Sequence, residues 1–257
     1  MKKLIALTIA LFALAAATPA VASSEGGHGL IQQSDANIGD RESLQRGAKY
    51  FMNYCLSCHS IKYMRYSRMA EDLGLSEEEV MGSLNFTGTK FGETMTVAMK
   101  PADGDVWFSK SAPDLSLVAR VKHGGADWIY SYLKSFYVDT KKPLGWNNMV
   151  FPGASMPHVL WDLQGTQAAV YETHKSHGAG GKEIEVQVFS HFEPITPGKL
   201  DAREYDQVAR DISAFLEYVG DPSALKRESV GWVVILFLGF FTFIAWLLKT
   251  EYWSDVH

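Results

Sequence analysis

The stretch LQRGAKYFMNYCLSCHSIKYMRY, residues 44 to 66, decides the fold of this 257-residue chain. Its centre, Cys55-Leu56-Ser57-Cys58-His59, follows the pattern C-x-x-C-H. This is the attachment pattern for a c-type haem, in which two thiols form thioethers with the porphyrin and the histidine binds iron. Residues three and four apart share one face of a helix, so Cys55, Cys58 and His59 can address one flat macrocycle. We therefore predict one covalently bound haem c at these three residues.

The residues before this motif predict the helix that carries it. Leu44, Ala48, Phe51 and Cys55 recur at steps of four, three and four, and Asp40 is available as an N-cap. Two other interpretations of the motif are a redox-active dithiol and half of a zinc site. The chain has no further cysteine for a zinc site, and no β-α-β pattern of the thioredoxin type surrounds the motif.

The first residues of the chain predict a segment that directs export. Lys2 and Lys3 precede an apolar run, and Ala20 and Ala22 then form a small-x-small cleavage pattern. We predict a signal peptide over residues 1–22. The mature chain would then face the periplasm of a bacterium.

A second apolar stretch, VGWVVILFLGFFTFIAWLL at residues 230–248, contains no charge. A helix of this length approaches the roughly 30 Å thickness of the hydrocarbon core of a bilayer. We predict one transmembrane anchor here, with a periplasmic haem domain over residues 23–229 and a cytoplasmic tail over residues 249–257. The protein is thus expected in the bacterial inner membrane as a single-pass protein.

The charge of the chain disfavours nucleic acid as a partner. The sequence has 24 lysine and arginine residues against 29 aspartate and glutamate residues, a net charge of −5. Binding to nucleic acid rests mainly on positive charge against phosphate. The acidic balance is compatible with a basic protein partner, although many soluble domains are mildly acidic for solubility alone.

A six-coordinate electron carrier needs a second axial ligand, usually methionine or histidine. Met156 is favoured because it lies between Pro152 and Pro157, where an irregular backbone can present a sulfur atom without a surrounding helix. Spacing alone does not choose among the candidates. The others are Met95, Met99, Met149, His123, His158 and His191.

Later residues predict further elements of the domain. Residues 201–219 form an amphipathic pattern that begins with a capping pair, Asp201 and Glu204, and ends before Gly220. Ser76 and Glu79 are expected to form a capping box in an acidic first helical turn, rather than an acidic docking patch.

The segment between the motif and the late helix contains a strand signal. Ile184, Val186 and Val188 alternate after a turn-rich stretch at residues 176–181, which predicts a short β-hairpin. The nearby His174, His177 and His191 are interpreted as exposed loop residues rather than a metal site. The fold class is therefore mainly α: a c-type cytochrome fold with loop and short β-hairpin insertions, plus one C-terminal transmembrane helix.

Several segments in this order resemble cytochrome c1, the haem subunit of the ubiquinol:cytochrome c oxidoreductase, also called the cytochrome bc1 complex. The resemblance covers most of the chain after the leader. It rests on residues 44–66, APDLS at 112–116, ARVKHGGADWIYSYL at 119–133, FPGASMPHVLWDLQG at 151–165, and GKLDAREYDQVARDISAFLEYVGDP at 198–222.

The resemblance implies roles for individual residues. It implies that Met156 is the sixth ligand, that Arg120 lies near a haem propionate, and that Pro113 and Leu115 line the haem pocket. The chain departs from the family in having a single proline at Ala112-Pro113-Asp114, where members often have two. The loop that carries Met156 is shorter than in mitochondrial relatives and is similar to the proteobacterial form ending in MPHVLW.

The resemblance also implies a function. The chain would accept single electrons from the Rieske iron-sulfur protein and pass them to a c-type cytochrome, anchored beside cytochrome b in a complex that is dimeric. It would make and break no substrate bond, so it would be an electron-carrier subunit rather than an enzyme on its own. The alternatives are a haem subunit of another membrane oxidoreductase, or a sensor or peroxidase-like protein with an open sixth site.

Overall fold

A computed structural model describes residues 30–97, 99–177 and 183–254, so the predicted signal peptide at residues 1–22 lies outside the described part of the chain. The helices are α1 (Arg41–Tyr54), α2 (Tyr66–Leu73), α3 (Glu77–Ser83), α4 (Pro101–Phe108), α5 (Val118–Val121), α6 (Gly125–Lys134), α7 (Trp161–Gln164), α8 (Ala202–Gly220) and α9 (Ala224–Tyr252). The strands are β1 (Ile61–Arg65), β2 (Thr94–Met95), β3 (Phe136–Val138), β4 (Trp146–Asn148), β5 (Gly165–His177) and β6 (Glu183–Pro197).

The beginnings of the main helices follow from their capping residues. The side chain of Asp40 accepts a hydrogen bond from the backbone N–H of Ser43 at the start of α1. Asp201 and Glu204 form a reciprocal capping box at the start of α8, and Ser76 and Glu79 form another at the start of α3. Each box satisfies backbone donors that the first helical turn leaves unpaired. These predicted helix starts are confirmed.

The centre of the domain is the contact between α1 and α8. Their apolar faces meet with Phe51 and Phe215 at a ring distance of 5.6 Å, and both side chains are fully buried. The two backbones come unusually close at Gly47, where a Cβ atom would lie 2.1 Å from the carbonyl oxygen of Asp211. Only a glycine allows this approach.

Helix α6 packs on α8 from another side. The buried hydroxyl of Tyr205 donates to the carbonyl of Leu133 at 2.8 Å. Asp206 accepts hydrogen bonds from the Lys134 ammonium, at 2.5 Å, and from the Tyr130 hydroxyl. Helices α1 and α6 thus both pack on α8.

Within the described residues each β-sheet has two antiparallel strands: β1 with β2, β3 with β4, and β5 with β6. The predicted strand at residues 184–188 lies in β6, but the hairpin is longer than the short one expected. Its pairing runs from Gly165↔Pro197 to His177↔Glu183. The sequence pattern of β5 is too polar to show alternation, and cross-strand hydrogen bonds extend the pairing beyond the apolar residues. The prediction of loop positions for His174, His177 and His191 is wrong, because all three lie on the hairpin strands.

Helix α9 continues the chain after a short connection at residues 221–223. Its stretch Val230–Tyr252 is long and apolar enough to cross a membrane, and none of it is buried against the domain. The predicted apolar helix is confirmed as one that could cross a membrane, and this stretch ends four residues later than the sequence pattern indicated. The fold is that of a mainly helical domain with β-hairpins and one C-terminal apolar helix.

Candidate functional site

The C-x-x-C-H motif lies just beyond the C-terminal end of α1. The helix ends at Tyr54, where the carbonyl of Phe51 accepts hydrogen bonds from the N–H groups of both Cys55 and Leu56. The spacing suggested that the motif lies within the helix, but the motif follows the end of the helix. It forms a tight turn instead, in which the N–H of His59 donates to the carbonyl of Cys55 at 2.8 Å. This bond spans four residues, so the turn keeps nearly the helical spacing of the three functional side chains.

The His59 ring is buried, and its orientation is fixed by one hydrogen bond. Nδ1 lies 2.7 Å from the carbonyl oxygen of Pro113. A carbonyl can only accept, so Nδ1 carries the proton and Nε2 keeps its lone pair. Burial lowers the pKa of His59, although the bond to Pro113 and the charge of Asp114 oppose this effect. The result is a neutral, oriented imidazole with one free nitrogen, which is the form that binds a metal.

Two hydrogen bonds join the segment around Pro113 to the residues that follow the motif. The N–H of Leu115 donates to the carbonyl of Ser60 at 2.8 Å, and the carboxylate of Asp114 accepts from the N–H of Lys62 at 3.0 Å. The structure therefore brings Pro113 and Leu115 beside the motif. Sequence reasoning did not predict that the backbone carbonyl of Pro113, rather than its ring, would contact the histidine.

The two thiols differ in their surroundings. Cys55 is buried and Cys58 is half-buried, and both are free thiols. Burial, with a smaller contribution from the charge of Cys58, raises the pKa of Cys55 to about 12. A redox-active dithiol needs a lowered thiol pKa. Cys55 therefore does not have the environment of the attacking thiol of a redox dithiol.

Met156 lies half-buried on an irregular loop, as predicted from its neighbouring prolines. The hydroxyl of Tyr132, on α6, donates a hydrogen bond to its sulfur at 3.5 Å. Burial raises the pKa of Tyr132, so this hydroxyl stays protonated and remains a donor. Sequence reasoning missed Tyr132, because no motif links it to a methionine 24 positions later.

Two buried asparagines of β4 hold the Met156 loop, and one of them also binds α6. The amide nitrogen of Asn148 donates to the carbonyl of Tyr132 at 2.8 Å, while its amide oxygen accepts from the N–H of Phe151 at 2.9 Å. The amide oxygen of Asn147 accepts from the N–H of Gly153 at 2.8 Å. These bonds hold the backbone of the loop at a fixed place relative to the helix.

Other candidate ligands have different environments. Met95 is fully buried on β2, opposite Ile61. His158 is buried and stacks on Phe136 at 5.0 Å, and its burial lowers its pKa to about 4. His191 is exposed on the long hairpin. Met156 combines partial burial, an irregular backbone and a donor directed at its sulfur.

Arg120 lies at the junction of the domain and the apolar helix. Its guanidinium is half-exposed and pairs with Asp221 at 2.5 Å, and Arg227 pairs with the same carboxylate at 2.8 Å. Hydrogen bonds from Ser223 and Arg227 hold the pKa of Asp221 below its usual range. The predicted role of Arg120 at a haem propionate stays a prediction.

The residues present fit a c-type haem. Two thiols and an imidazole with an unshared Nε2 lone pair lie within five consecutive residues. Among the residues that the structure describes, no group of three or more His, Cys, Asp and Glu side chains is placed to hold a metal ion. Two thiols and an oriented imidazole are the groups that a c-type haem needs, so Cys55, Cys58 and His59 could hold one.

Comparison with known proteins agrees with this chemistry. The sequence profile described as the Cytochrome C1 family matches residues 33–174 and 200–256. Residues 175–199, between these two matches, contain all of β6 and the last three residues of β5. The hairpin thus extends beyond what the family profile covers.

The chain is similar to several curated proteins over nearly all of its length. It is 48% identical to "Cytochrome c1" of Allochromatium vinosum, with all of both chains covered. It is 39% identical to the "Ammonia monooxygenase gamma subunit" of Nitrosomonas europaea, over 93% of this chain and 94% of that one. It is 30% identical to "Cytochrome c1" of Rhodospirillum rubrum, over 92% of each chain.

Proposed function

The chain belongs to the cytochrome c1 family, the haem subunit of the bc1 complex, and we propose that it carries single electrons from the Rieske iron-sulfur protein to a c-type cytochrome. The family implies a haem c cofactor. One observation carries the proposal furthest: the C-x-x-C-H turn holds its histidine neutral, buried and oriented by the Pro113 carbonyl.

Each residue of the motif has a part in holding the haem. The Cys55 and Cys58 sulfurs would form its two thioether links, and His59 Nε2 would bind iron. The Pro113 carbonyl keeps the imidazole ring from turning, because rotation would break its bond to Nδ1. When bound, the haem supplies a reversible one-electron couple between ferric and ferrous iron.

We propose Met156 as the sixth ligand. Its loop is tied to α6 by Asn148 and to β4 by Asn147, so the sulfur can be presented with little reorganisation. Methionine with histidine saturates the iron and raises its potential relative to two histidines. Such a centre passes electrons without binding a substrate, which supports a carrier role rather than catalysis by this chain alone.

The surroundings of the haem domain follow from the same proposal. The domain over residues 23–229 would lie in the periplasm of a bacterium, and the anchor would lie beside cytochrome b in the inner membrane. The assembled complex would be dimeric. Pro113 and Leu115 would line the haem pocket, and Arg120 would reach a haem propionate from its place beside Asp221.

The proposal is tested by optical spectra of the detergent-extracted protein, oxidised and reduced. We expect the weak band near the red edge of the visible spectrum that methionine-ligated ferric haem gives, and no rapid binding of carbon monoxide by the reduced form. Met156→Ala should abolish the band and allow carbon monoxide to bind. Met149→Ala, which removes another candidate methionine, should change neither property.

Two results would contradict this proposal. A band that survives in Met156→Ala would remove Met156 as ligand. Rapid carbon monoxide binding by the unaltered protein would indicate an open sixth site, as in a haem sensor or a peroxidase-like protein.

A second candidate is a haem subunit of another membrane oxidoreductase. It is favoured by the 39% identity, over 93% of this chain, to a protein named as an ammonia monooxygenase subunit. Purification from native membranes separates the two. Recovery of the chain with a dihaem cytochrome b and a Rieske protein supports the bc1 assignment, and recovery without them favours the second candidate.

A further inference from the structure

We propose that Tyr132 is a positioning residue that polarises the sulfur of Met156 and thereby raises the reduction potential of the haem. The inference rests on the proposed function, because it takes Met156 as the iron ligand. The hydroxyl of Tyr132 donates to the Met156 sulfur at 3.5 Å, a normal separation for a hydrogen bond to sulfur.

The ring of Tyr132 is held so that its hydroxyl has one direction. It stacks on Trp128 with the ring centroids 5.0 Å apart and the planes 10° apart. Phe136 meets it edge-on at 4.9 Å. Aromatic contacts of these two kinds fix the plane of the ring and leave little freedom for the hydroxyl to move away.

The outer face of this stack is also held. The Lys122 ammonium lies over the rings of both Trp128 and Phe151, at 4.5 and 4.7 Å. Trp128 and Phe151 meet edge to face at 6.3 Å. Phe151 belongs to the loop that leads to Met156. The same contacts therefore position both the Tyr132 hydroxyl and the loop that carries the Met156 sulfur.

The effect on the haem follows from the two lone pairs of a thioether. One lone pair can bind iron while the other accepts the hydrogen bond from Tyr132. The hydrogen bond withdraws electron density from the sulfur, which makes it a poorer donor to the more positive ferric iron. Hydrogen bonding to a ligand is one of the means by which a protein tunes a haem. The reduced form is therefore favoured while the bond is present.

The test is the reduction potential of the haem in Tyr132→Phe, measured by optical titration of the extracted full-length protein. Phenylalanine keeps the ring and its stacking and removes only the hydroxyl. We expect the equilibrium constant for reduction to fall about threefold, which is about 30 mV for one electron. The band for methionine ligation should remain.

Tyr130→Phe is the matched control. Tyr130 lies on the same helix but faces α8. Its hydroxyl donates to Asp206 of α8 and accepts from Lys134 of its own helix. Loss of this hydroxyl should leave the potential unchanged. An equal fall in both variants would show a general effect of a weakened helix and would overturn the proposal.

The remaining outcomes also decide the question. An unchanged potential in Tyr132→Phe, with the methionine band intact, would overturn the inference while leaving the carrier function standing. Loss of the band in Tyr132→Phe would overturn a polarising role, since it would show that the hydroxyl is needed for ligation itself. Failure of the proposed ligand is seen separately, as a band that persists in Met156→Ala.

Discussion

Single hydrogen bonds from distant residues fix the direction of two groups at the candidate site. The carbonyl of Pro113 sets the tautomer of His59, and the hydroxyl of Tyr132 meets the sulfur of Met156. Both partners lie far along the chain from the residue they orient, by 54 and 24 positions. Each is a single hydrogen bond in a buried or half-buried place, where water competes poorly and the bond gains strength.

The carboxylate of Asp206 is also held by hydrogen bonds, and its titration gives a pH-dependent prediction. Burial tends to raise the pKa of Asp206, but hydrogen bonds from Lys134 and Tyr130 outweigh it and lower the pKa below its usual range. Its unfolded value is near 4. The stabilisation is therefore present above about pH 4 and is lost as pH falls through the folded pKa.

We expect Asp206→Asn to lower the free energy of unfolding by about 1 kcal/mol at pH 7, because the carboxylate is about three-quarters buried and forms a network rather than a single exposed pair. The loss should be smaller at pH 3, which lies below the unfolded pKa, because part of this stabilisation is already gone there. Denaturant unfolding followed by haem absorbance at both pH values checks this. An equal loss at both would contradict it.

At the scale of elements, the packing of α1 on α8 depends on the absence of one side chain. At Gly47 a Cβ atom would lie 2.1 Å from the carbonyl oxygen of Asp211 and 2.7 Å from the Cβ of Phe215. Backbone of a packed helix cannot move aside as the tip of a side chain can. The two helices would have to separate, which would loosen the buried contacts around Phe51.

We expect Gly47→Ala to lower the free energy of unfolding by about 3 kcal/mol, at the upper end of the usual effect of overpacking. Gly82→Ala is the control, because Gly82 lies in helix α3 with no atom within 4 Å of the added Cβ. Alanine there should stabilise by about 0.5 kcal/mol through helix propensity. Equal stability of the two variants in denaturant would contradict the proposed close contact.

The sequence predicts those elements whose signals are local. The caps at Asp40 and Asp201 and the apolar spacing along α1 lie within a few residues of the helices they define. The short strands β1 and β2 have no such signal, because their pairing joins Ile61 to Met95 across an intervening helical segment. The long hairpin is underestimated for a related reason: cross-strand bonds that no periodicity records extend its pairing into polar residues.

The residues of the candidate site also differ in whether a local sequence signal predicts them. Cys55, Cys58 and His59 form one motif and are readable as a unit. Met156 is only one of several candidates until its surroundings are known, because a methionine on an irregular loop has no pattern of its own. Tyr132 and the Pro113 carbonyl were missed because their roles depend on distances between segments that sequence spacing does not encode.

For the whole molecule, the connection between domain and anchor is short and ionic. Only residues 221–223 separate α8 from α9, and Asp221 binds both Arg120 of the domain and Arg227 of the apolar helix. The carboxylate thus joins three parts of the chain at the place where the domain would meet the membrane surface. Exposed ion pairs of this kind add little stability individually, so their main effect is on orientation.

The proposed topology gives a prediction at this scale. In intact spheroplasts, a membrane-impermeant maleimide should label Glu185→Cys on the exposed hairpin and leave Ser254→Cys, after α9, unlabelled. Permeabilised membranes should show labelling of both, since the reagent then reaches either side. The native cysteines would not react, being held in thioether links.

Labelling of Ser254→Cys in intact spheroplasts would contradict a cytoplasmic tail. Absence of label on Glu185→Cys would contradict a periplasmic domain. The two positions are exposed in the structure, so neither result can be attributed to burial of the introduced thiol within the chain.

The contact between α1 and α8 also has a consequence in time. Ser43 and Asp211 share a hydrogen bond across 168 positions of sequence, so the core of the domain stays open until almost all of the domain has been made. At roughly 5 to 20 residues per second, synthesis of that interval takes on the order of 10 to 30 seconds. During that interval the apolar face of α1 has no α8 to pack against. Because α8 directly precedes the anchor in the chain, the core cannot close until synthesis has nearly reached the membrane-spanning residues.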